Sequence, residues 1–396
     1  MISQRQLFLT YLAQTSPSPI GIEIERAEGI YLYDTTGKRF TDLISGISVS
    51  NTGHCHPRIV ASIKKQTEKY LHLMVYGELI QSPQVQFASA LAELLPPNLQ
   101  SVYFVNSGSE AVEGALKLAK RFTGRSEIVA LRNAYHGSSH GSMSVMGNEY
   151  FKNAFRPLLP GIKFISLNDE NELKNISTRT ACVIIEPVQG EAGIRISGTA
   201  YLKALRKRCN ETETLLIFDE IQSGMGRTGS MFVFEQYGVI PDILLLAKGV
   251  GGGMPLGAFI SSNEIMHSLS FNPVLGHITT FGGHPVSCAA ALANLQVIRE
   301  EELTKIVITK EKLFRALLEN HPKIREIRSK GLWMALQMNN YLQVKQLIDN
   351  CIEKGVLLDW FLFCDNAVRI APPLIITEEQ IKESCKIILG CLDVLV

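Results

Sequence analysis

Two ionisable side chains stand at the ends of short apolar segments, and their types indicate chemistry on a positively charged or carbonyl-bearing partner. Residues 215–218 are apolar and run into Asp219; residues 243–247 are apolar and run into Lys248. Such segments predict strands buried on both faces, as in a parallel sheet. Open α/β sheets bind ligands at the carboxyl ends of their strands. A buried acid and a buried lysine there predict a site that holds a positive group and uses an activated amine.

A strand, a turn of small residues and a helix follow one another at residues 101–122. The strand is predicted at 101–105, the turn is Asn106-Ser107-Gly108-Ser109-Glu110, and the helix is predicted from 111 to 122. Free N–H groups and the helix dipole favour a phosphate at such a helix start. An ordinary N-cap formed by Ser107 or Ser109 is an equally good interpretation. The segment is not a P-loop, because the lysine of that motif is missing.

Two other residues could contact a ligand. Tyr135 follows a strand predicted at 127–132, and an aromatic ring there can stack on a flat ligand, although a core tyrosine is the commoner case. Arg369 lies inside an apolar strand pattern at 367–371. Because arginine is rarely buried without a partner, we expect a carboxylate beside it, from the protein or from a substrate.

Two motif matches are weaker. Residues 224–229 fit G-x-G-x-x-G, but a dinucleotide fingerprint follows its strand at once and opens a helix, and residues 230–234 are a poor helix start. We therefore predict no nicotinamide site. His54-Cys55-His56 has no second ligand cluster at zinc spacing, which favours a structural loop and predicts no metal.

The elements that would position these residues form an α/β pattern. Strands followed by helices between about residues 100 and 250 predict a doubly wound sheet. A hairpin is predicted around residues 35–37 inside a small β region at 21–50, and periodic helices with short strands fill residues 302–396. The C-terminal part is expected to form a second, α+β domain.

Composition excludes several classes. The chain has 396 residues, 46% of them hydrophobic and 19% charged, which predicts a globular protein of more than one domain. A net charge of +1 argues against nucleic acid or a membrane surface as the main partner. No apolar segment reaches transmembrane length, residues 1–19 lack a signal-peptide core, and eight scattered cysteines favour reduced thiols, so we expect a cytoplasmic protein.

A phosphate site, an aromatic ring for stacking, a strand-end aspartate and a strand-end lysine are what pyridoxal phosphate requires. The sequence resembles the class III (ω-amino acid) aminotransferases of the fold-type I pyridoxal-phosphate family over nearly its whole length. The resemblance rests on motifs in this order: residues 106–110, Tyr135-His136-Gly137, Glu186-Pro187, residues 219–222 with 226–229, Lys248 with its glycines, and residues 280–283.

The resemblance implies a fold and an assembly. The fold would be a three-layer, mainly parallel sheet flanked by helices, with a smaller α+β domain built from both termini. Residues 1–52 and 291–396 would form the small domain, and residues 53–290 the large cofactor-binding domain. The assembly would be a homodimer with shared active sites, because Thr280 would reach the cofactor phosphate of the neighbouring subunit.

The resemblance also implies a role for each site residue. Lys248 would hold the cofactor as a Schiff base and shuttle the proton, and Asp219 would keep the pyridinium nitrogen protonated. Gln222 would reach the ring oxygen, Tyr135 would stack on the ring, and Gly108 would bind the phosphate. The remaining cofactor-binding residues of the implied set are Ser107, Ser109, His136 and Glu186.

Substrate residues are implied as well. Arg369 matches the arginine that binds the α-carboxylate of an oxo acid, and Glu191 matches the acid that shields it while an ω-amine reacts. The pair favours the ornithine, acetylornithine and 4-aminobutyrate branch. Many members of that branch have arginine directly after the His-Gly of the motif, where this chain has Ser138. This difference puts 2-oxoglutarate in doubt as the acceptor and leaves pyruvate, or another arginine, open.

Three functions follow for testing. The leading one is transfer of an ω-amino group to an α-oxo acid. The second is an aminomutase, decarboxylase or racemase on the same scaffold, which release of carbon dioxide or turnover without an acceptor would favour. The third, a binding protein without catalysis, is disfavoured because Lys248 and Asp219 are both present.

Overall fold

The structure, a computed structural model, describes residues 3–395. Its helices are, in chain order, α1 (Gln4–Tyr11), α2 (Ser45–Ser48), α3 (Pro57–Thr67), α4 (Ser82–Ala92), α5 (Gly108–Thr123), α6 (His140–Ser144), α7 (Thr199–Glu211), α8 (Phe234–Tyr237), α9 (Asn263–His267), α10 (Pro285–Glu300), α11 (Leu303–Leu318), α12 (Tyr341–Glu353) and α13 (Glu378–Asp393). None of the helices in this part of the chain combines the length and apolar composition that crossing a bilayer requires.

The strands are, in chain order, β1 (Ile24–Glu28), β2 (Tyr31–Asp34), β3 (Arg39–Asp42), β4 (Ser101–Val105), β5 (Glu127–Leu131), β6 (Ile162–Ile165), β7 (Thr180–Ile185), β8 (Val188–Gln189), β9 (Arg195–Ile196), β10 (Leu215–Asp219), β11 (Ile243–Leu246), β12 (Gly257–Ser261), β13 (Glu326–Ser329), β14 (Met334–Gln337), β15 (Val356–Leu357), β16 (Asp359–Phe361) and β17 (Cys364–Ile370).

The central sheet has the order β4-β12-β11-β10-β7-β5-β6. β10 pairs in parallel with both β7 and β11, while β12 is antiparallel to its neighbours β11 and β4. The residues of β7, β10, β11 and β12 are all buried, because the sheet is covered on both faces. The prediction of a mainly parallel sheet flanked by helices is therefore confirmed.

Cap residues fix where the main helices begin. Ser107, Asn340 and Thr377 each accept a backbone N–H from the first turn of α5, α12 and α13. Pro57 and Pro285 stand at the first positions of α3 and α10, where a missing N–H costs nothing. The cap at Ser107 explains why α5 begins at Gly108, three residues before the predicted start at residue 111.

Two four-stranded sheets lie outside the central one, together with the two-stranded pair β8–β9. The first joins β1, β2 and β3 to β15, so strands from both ends of the chain share it. The second has the order β13-β14-β17-β16, and α12 packs against β17. α10 runs without a break across residue 290, where we predict the start of the C-terminal part; the domain boundaries stay a prediction.

The predicted strands at 101–105, 127–132, 215–218 and 243–247 are all present within about one residue. Two strands of the sheet, β6 and β12, were not predicted. β12 has the sequence Gly-Ala-Phe-Ile-Ser and follows a glycine-rich loop, so its local pattern indicates a turn. Pairing with β11 and β4 makes it a strand, which is a tertiary effect that propensity does not contain.

The G-x-G-x-x-G segment is a packing element. Its Arg227 is fully buried and donates to the carbonyls of Leu332 and Pro372 and to the side chain of Asn51. Burial lowers the pKa of Arg227 to about 9. The residue thus ties three distant parts of the chain together.

The His-Cys-His segment also forms local contacts. Nε2 of His54 lies 2.8 Å from Oδ2 of the buried Asp42, and Nδ1 of His56 accepts the N–H of Arg58 at the start of α3. The two imidazoles therefore have separate partners.

Candidate active site

A cavity of about 480 Å³ opens at the carboxyl ends of β10 and β11. β10 ends at Asp219, and Lys248 follows the end of β11 by two positions. Because the two strands are parallel neighbours, both side chains reach this cavity. Its wall also contains these residues of the predicted site: Ser107, Gly108, Ser109, Tyr135, His136, Glu186 and Gln222.

Asp219 is a buried carboxylate with two donors from its own chain. Its Oδ1 accepts the N–H of Ile221 at 3.0 Å, and its Oδ2 lies 2.7 Å from Nδ1 of His136. His136 is buried too, and its Nε2 has no hydrogen-bond partner in residues 3–395. These contacts fix the orientation of the carboxylate, and a cationic group in the cavity would stabilise its charge.

Lys248 has a backbone φ of +49°, in the left-handed region. Its Nζ donates to Oε1 of Gln222 at 3.2 Å. Desolvation lowers the pKa of Lys248, although the nearby charges of Glu191 and Asp219 oppose this shift. The lysine is therefore closer to its neutral, nucleophilic form than an exposed lysine is.

Glu186 holds two pieces of the cavity wall. Its Oε1 accepts the N–H of Tyr135 at 2.8 Å, and its Oε2 accepts the N–H of Gly190 at 2.9 Å. Burial raises its pKa to about 7. The contacts show a carboxyl group that positions the backbone on either side of the cavity, a role that the sequence does not reveal.

The start of α5 forms another part of the wall. Ser107 is the N-cap, and its Oγ accepts the N–H of Glu110 at 3.2 Å. The N–H groups of Gly108 and Ser109 lie in the first turn, where an α-helix offers no acceptor. A Cβ at Gly108 would lie 3.0 Å from Ile221, so glycine permits this close packing. The interpretation of Ser107 as an N-cap is confirmed, and binding of an anion by the free N–H groups stays a prediction.

Arg369 and Glu191 form a buried ion pair. Nη2 of Arg369 donates to Oε1 and Oε2 of Glu191 at 2.9 and 2.7 Å. The N–H of Leu362 donates to the same carboxylate at 3.0 Å, and Asp359 lies 3.7 Å from Nε of Arg369. The carboxylate expected beside Arg369 is thus present in the protein. The charges of both residues of the pair influence Lys248.

Comparison with known proteins decides the family. The sequence model of the family described as "Aminotransferase class-III" matches residues 11–392. The chain belongs to the class III aminotransferases. It is 41% identical to an acetylornithine aminotransferase of Methanocaldococcus jannaschii, with 91% of this chain and 90% of the relative covered. It is 35% identical to ornithine aminotransferase 1 of Staphylococcus aureus, with 94% and 95% covered.

A solved structure gives the same result. The ornithine aminotransferase of Toxoplasma gondii superimposes with a TM-score of 0.90 at 28% identity, covering 100% of this chain and 96% of that one. The predicted fold type I architecture of a pyridoxal-phosphate enzyme is therefore confirmed.

Class III aminotransferases use pyridoxal phosphate, and the cavity of this aminotransferase fits that cofactor. The helix start at Gly108 and Ser109 suits its phosphate, and the fixed carboxylate of Asp219 suits a protonated ring nitrogen. The amide nitrogen of Gln222 is buried without a hydrogen-bond partner in the described chain, so it is available to a polar group of the cofactor. Tyr135 lines the same cavity and is half-buried.

Three residues of the predicted site do not line this cavity. Glu191 and Arg369 are buried as a pair beside it. Thr280 is exposed, and the neighbouring Thr279 lines a different cavity, of about 380 Å³. Within one chain Thr280 is therefore remote from the other cofactor residues.

Two apolar residues that line the cavity were not indicated by the sequence. Val188 belongs to the short strand β8, directly after Glu186-Pro187. Trp333 is fully buried, and its ring would lie 2.7 Å from a Cβ at Gly190. Val188 could be suspected from its place after the acidic strand end, but Trp333 lies in the distant C-terminal part and has no local signal.

Ser138 lies where many relatives are expected to carry arginine. It is exposed, and its Oγ lies 3.1 Å from the hydroxyl of Tyr135. Its N–H donates to Oγ of Ser109 at 3.2 Å. The position is thus at the rim of the cavity, between the aromatic ring and the helix start.

Proposed function

We propose that this aminotransferase takes the ω-amino group of an ornithine-like, N-acetylornithine-like or 4-aminobutyrate-like donor and passes it to an α-oxo acid. The observation that carries the proposal is the closed ion pair of Glu191 and Arg369 next to Lys248. While Glu191 neutralises Arg369, an amine on a carbon without a carboxylate can react. When the pair opens, Arg369 can bind the α-carboxylate of an oxo acid in a bidentate manner.

The relatives support this donor class. The two curated proteins compared above are named acetylornithine and ornithine aminotransferases, and they match more than nine-tenths of this chain. The ion pair itself does not distinguish free from acetylated ornithine. The experiment below includes both.

The proposed chemistry assigns a task to each polar residue of the cavity. Pyridoxal phosphate, when bound, supplies the electron sink for the electrons that remain after a proton leaves the amine-bearing carbon. Nζ of Lys248 would hold the cofactor covalently and, when free, would move that proton, which its lowered pKa favours. Asp219 stabilises the positive ring nitrogen, and His136 keeps Asp219 in place. Gln222 orients Nζ of Lys248 through its Oε1.

The choice of oxo-acid acceptor depends on position 138, where this chain has serine instead of arginine. Among the described residues that line the cavity, Lys248 is the only lysine or arginine. A second carboxylate on the oxo acid therefore has no fixed arginine in the cavity wall of its own chain. We propose that a monocarboxylic acceptor such as pyruvate is used at least as well as 2-oxoglutarate.

The active assembly is proposed to be a homodimer. Exposed apolar side chains cluster near Thr280: Ile80 is 97% exposed, and Leu71, Val274, Ile278 and Phe281 are each 47% or more exposed. Large exposed apolar side chains in neighbouring segments support an interface with another protein surface. A second copy that covers it would place Thr280 beside the neighbouring helix start. Sedimentation of the wild type and of the Ile80→Glu variant tests the proposed dimer. We expect the wild type to be a dimer and the variant to be a monomer. A monomeric wild type would contradict the proposal.

The proposal also covers the division into domains and the cellular location. Residues 1–52 and 291–396 are proposed as the small domain and 53–290 as the large one, which agrees with the sheet that joins β3 to β15. The cysteines of the chain are free thiols, and all but Cys55 and Cys364 are buried. Free thiols suit the reducing cytoplasm, where we propose that the enzyme works.

The test is a spectral half-reaction. Single amines (ornithine, N-acetylornithine, 4-aminobutyrate, lysine, β-alanine) are added without acceptor to the cofactor-loaded protein, and its visible absorption is followed. We expect one or more ω-amines to bleach the band, and pyruvate or 2-oxoglutarate to restore it. The proposal would be contradicted if no amine bleached the band, or if carbon dioxide were released without an acceptor. Either result would favour decarboxylation or isomerisation instead.

A further inference from the structure

A second large cavity lies away from the cofactor residues. Its volume is about 820 Å³, and none of its lining residues lines the active-site cavity. One side is formed by the segments that follow β5 and β6 and by β9; the other side is formed by α11 and β13. The polar residues that line it are Arg132, Asn133, Ser166, Asn168, Gln189, Arg195, Arg315, Arg328 and Ser329.

The charged residues in the described lining of this cavity are all positive. Its described lining contains four arginines and no aspartate or glutamate. Arg328 is 8% exposed; its Nε donates to the carbonyl of Gly193 at 2.6 Å, and its Nη1 donates to Glu326 and Gln337. Arg315 donates from Nη1 to the carbonyl of Ile327 at 2.8 Å. Two arginines are therefore fixed in the wall by other groups of the protein.

The other two arginines are not neutralised. The side chains of Arg132 and Arg195 have no hydrogen bond and no ion pair with any residue of the described chain. Three acids lie near lining residues: Glu326 is paired with Arg328, Glu319 lies 3.7 Å from Arg315, and Glu172 accepts the N–H of Ser166 at 2.5 Å. Arg132 and Arg195 are exposed residues that line the cavity without an ion pair to the described chain.

We propose that this cavity binds a small polyanion, a molecule with two or more phosphate or carboxylate groups. Guanidinium groups bind both oxyanions through paired hydrogen bonds, and the arginine is the side chain best suited to do so. Arg132 and Arg195 lie on one side of the cleft and Arg328 on the other. A ligand with two anionic groups reaches both sides, whereas a single charge reaches one.

Arg328 connects the cavity to the active site. It holds the carbonyl of Gly193, which lies two positions after Glu191, and a Cβ at Gly193 would lie 2.8 Å from Nη2 of Arg328. An anion that draws the guanidinium of Arg328 acts on the segment that positions Glu191. Arg328 thus joins this cavity to the segment that carries Glu191.

The test measures binding of defined anions to the cofactor-loaded enzyme, whose own phosphate site is filled. Pyrophosphate, citrate and inorganic phosphate are titrated by calorimetry and by thermal denaturation, with chloride at matched ionic strength as the baseline. Pyrophosphate carries phosphate groups and citrate carries carboxylate groups, so a comparison of the two shows which kind of anion the cavity binds. We expect saturable binding of at least one of these two, about one molecule per chain, with a rise in Tm, and much weaker binding of inorganic phosphate.

Matched variants locate the site. The double variant Arg132→Gln, Arg195→Gln removes the two unneutralised charges, and Arg179→Gln, Arg299→Gln removes two exposed arginines elsewhere. We expect the first to weaken binding about tenfold or more and to keep basal turnover, because each charged hydrogen bond contributes about 1.5–3 kcal/mol. The second should bind as the wild type does. No saturable binding, equal weakening in both variants, or binding that displaces the cofactor from its band would each overturn the proposal.

Discussion

Nη2 of Arg369 donates to both carboxylate oxygens of Glu191, at 2.9 and 2.7 Å, although the two residues are 178 positions apart in the chain. The pair is buried, and the N–H of Leu362 fixes Glu191 from the β16–β17 hairpin. A guanidinium that is already paired in this way cannot bind a substrate carboxylate until Glu191 leaves. In the proposed function, the change from amine donor to oxo-acid acceptor would require this pair to open.

The first prediction concerns Glu191→Gln. Removing the charge leaves Arg369 free, so reactivity with α-amino acids should rise relative to reactivity with ω-amines by about tenfold or more, the equivalent of one lost charged hydrogen bond. The ratio of kcat/KM for glutamate or alanine to that for ornithine measures it. Arg369→Lys is the complementary variant and should raise KM for the oxo acid. An unchanged ratio in both variants would remove the pair from the substrate site.

The second prediction compares two aspartate–histidine pairs, of which Asp219–His136 is fully buried and Asp42–His54 is partly buried. Asp219→Asn should lower cofactor retention and turnover by about a hundredfold or more, because breaking a buried charge pair costs about 3–5 kcal/mol and the ring nitrogen loses its partner. Asp42→Asn breaks a pair of the same kind, with His54 at 2.8 Å, away from the cavity. It should lower Tm and leave the visible spectrum of the loaded protein unchanged. Equal spectral effects in the two variants would contradict the role of Asp219.

Sequence reasoning located the strand-end residues but not what surrounds them. Asp219 and Lys248 could be placed in one site because parallel strands end at the same edge of a sheet. The contact of His136 with Asp219, and the two backbone hydrogen bonds of Glu186, join residues that only the folded chain brings together. Without the family resemblance, nothing local pairs Arg369 with Glu191.

The third prediction is a pH effect on stability. Glu220 is buried and accepts the N–H groups of Val233 and Phe234 at 2.5 and 2.8 Å, yet desolvation raises its pKa from 4.5 to about 8. Between these two values the folded state keeps a proton that the unfolded state releases. Its contribution to stability is therefore complete at low pH and is lost as the pH rises through about 8, with a slope of at most about 1.4 kcal/mol per pH unit.

Glu220→Gln resembles the protonated acid, so its Tm should fall less between pH 6 and about 8.5 than that of the wild type. Glu28→Gln, at an exposed residue of β1, is the control and should follow the wild type. Thermal denaturation across this range measures the difference. Parallel curves for all three proteins would mean that Glu220 does not titrate there.

The fourth prediction uses the two tryptophans. In Trp360→Phe, Trp333 is the single tryptophan, and it lines the active-site cavity. Addition of pyridoxal phosphate to the cofactor-free variant should quench its fluorescence strongly, and the Trp333→Phe protein, with only Trp360, should be quenched less. Equal quenching in both variants would place Trp333 outside the cofactor cavity.

Shortening the same residue should change specificity. Trp333→Leu opens the cavity beside Gly190, so bulkier amines should gain about tenfold or more in kcat/KM relative to ornithine. The free energy of unfolding should fall by about 2–4 kcal/mol, as for other large-to-small core changes. If relative rates for small and bulky amines do not change, Trp333 supports the fold without shaping the substrate pocket.

The most direct test of the account is to follow the nitrogen. Ornithine or N-acetylornithine carrying ¹⁵N only at the ω-position is incubated with the loaded enzyme and an α-oxo acid, with the Lys248→Ala protein as the control. We predict that ¹⁵N appears in the amino group of the new α-amino acid, and that the control transfers none over multiple turnovers. Label that stays in the donor while its α-nitrogen moves, or label released as ammonia, would contradict transfer of an ω-amino group.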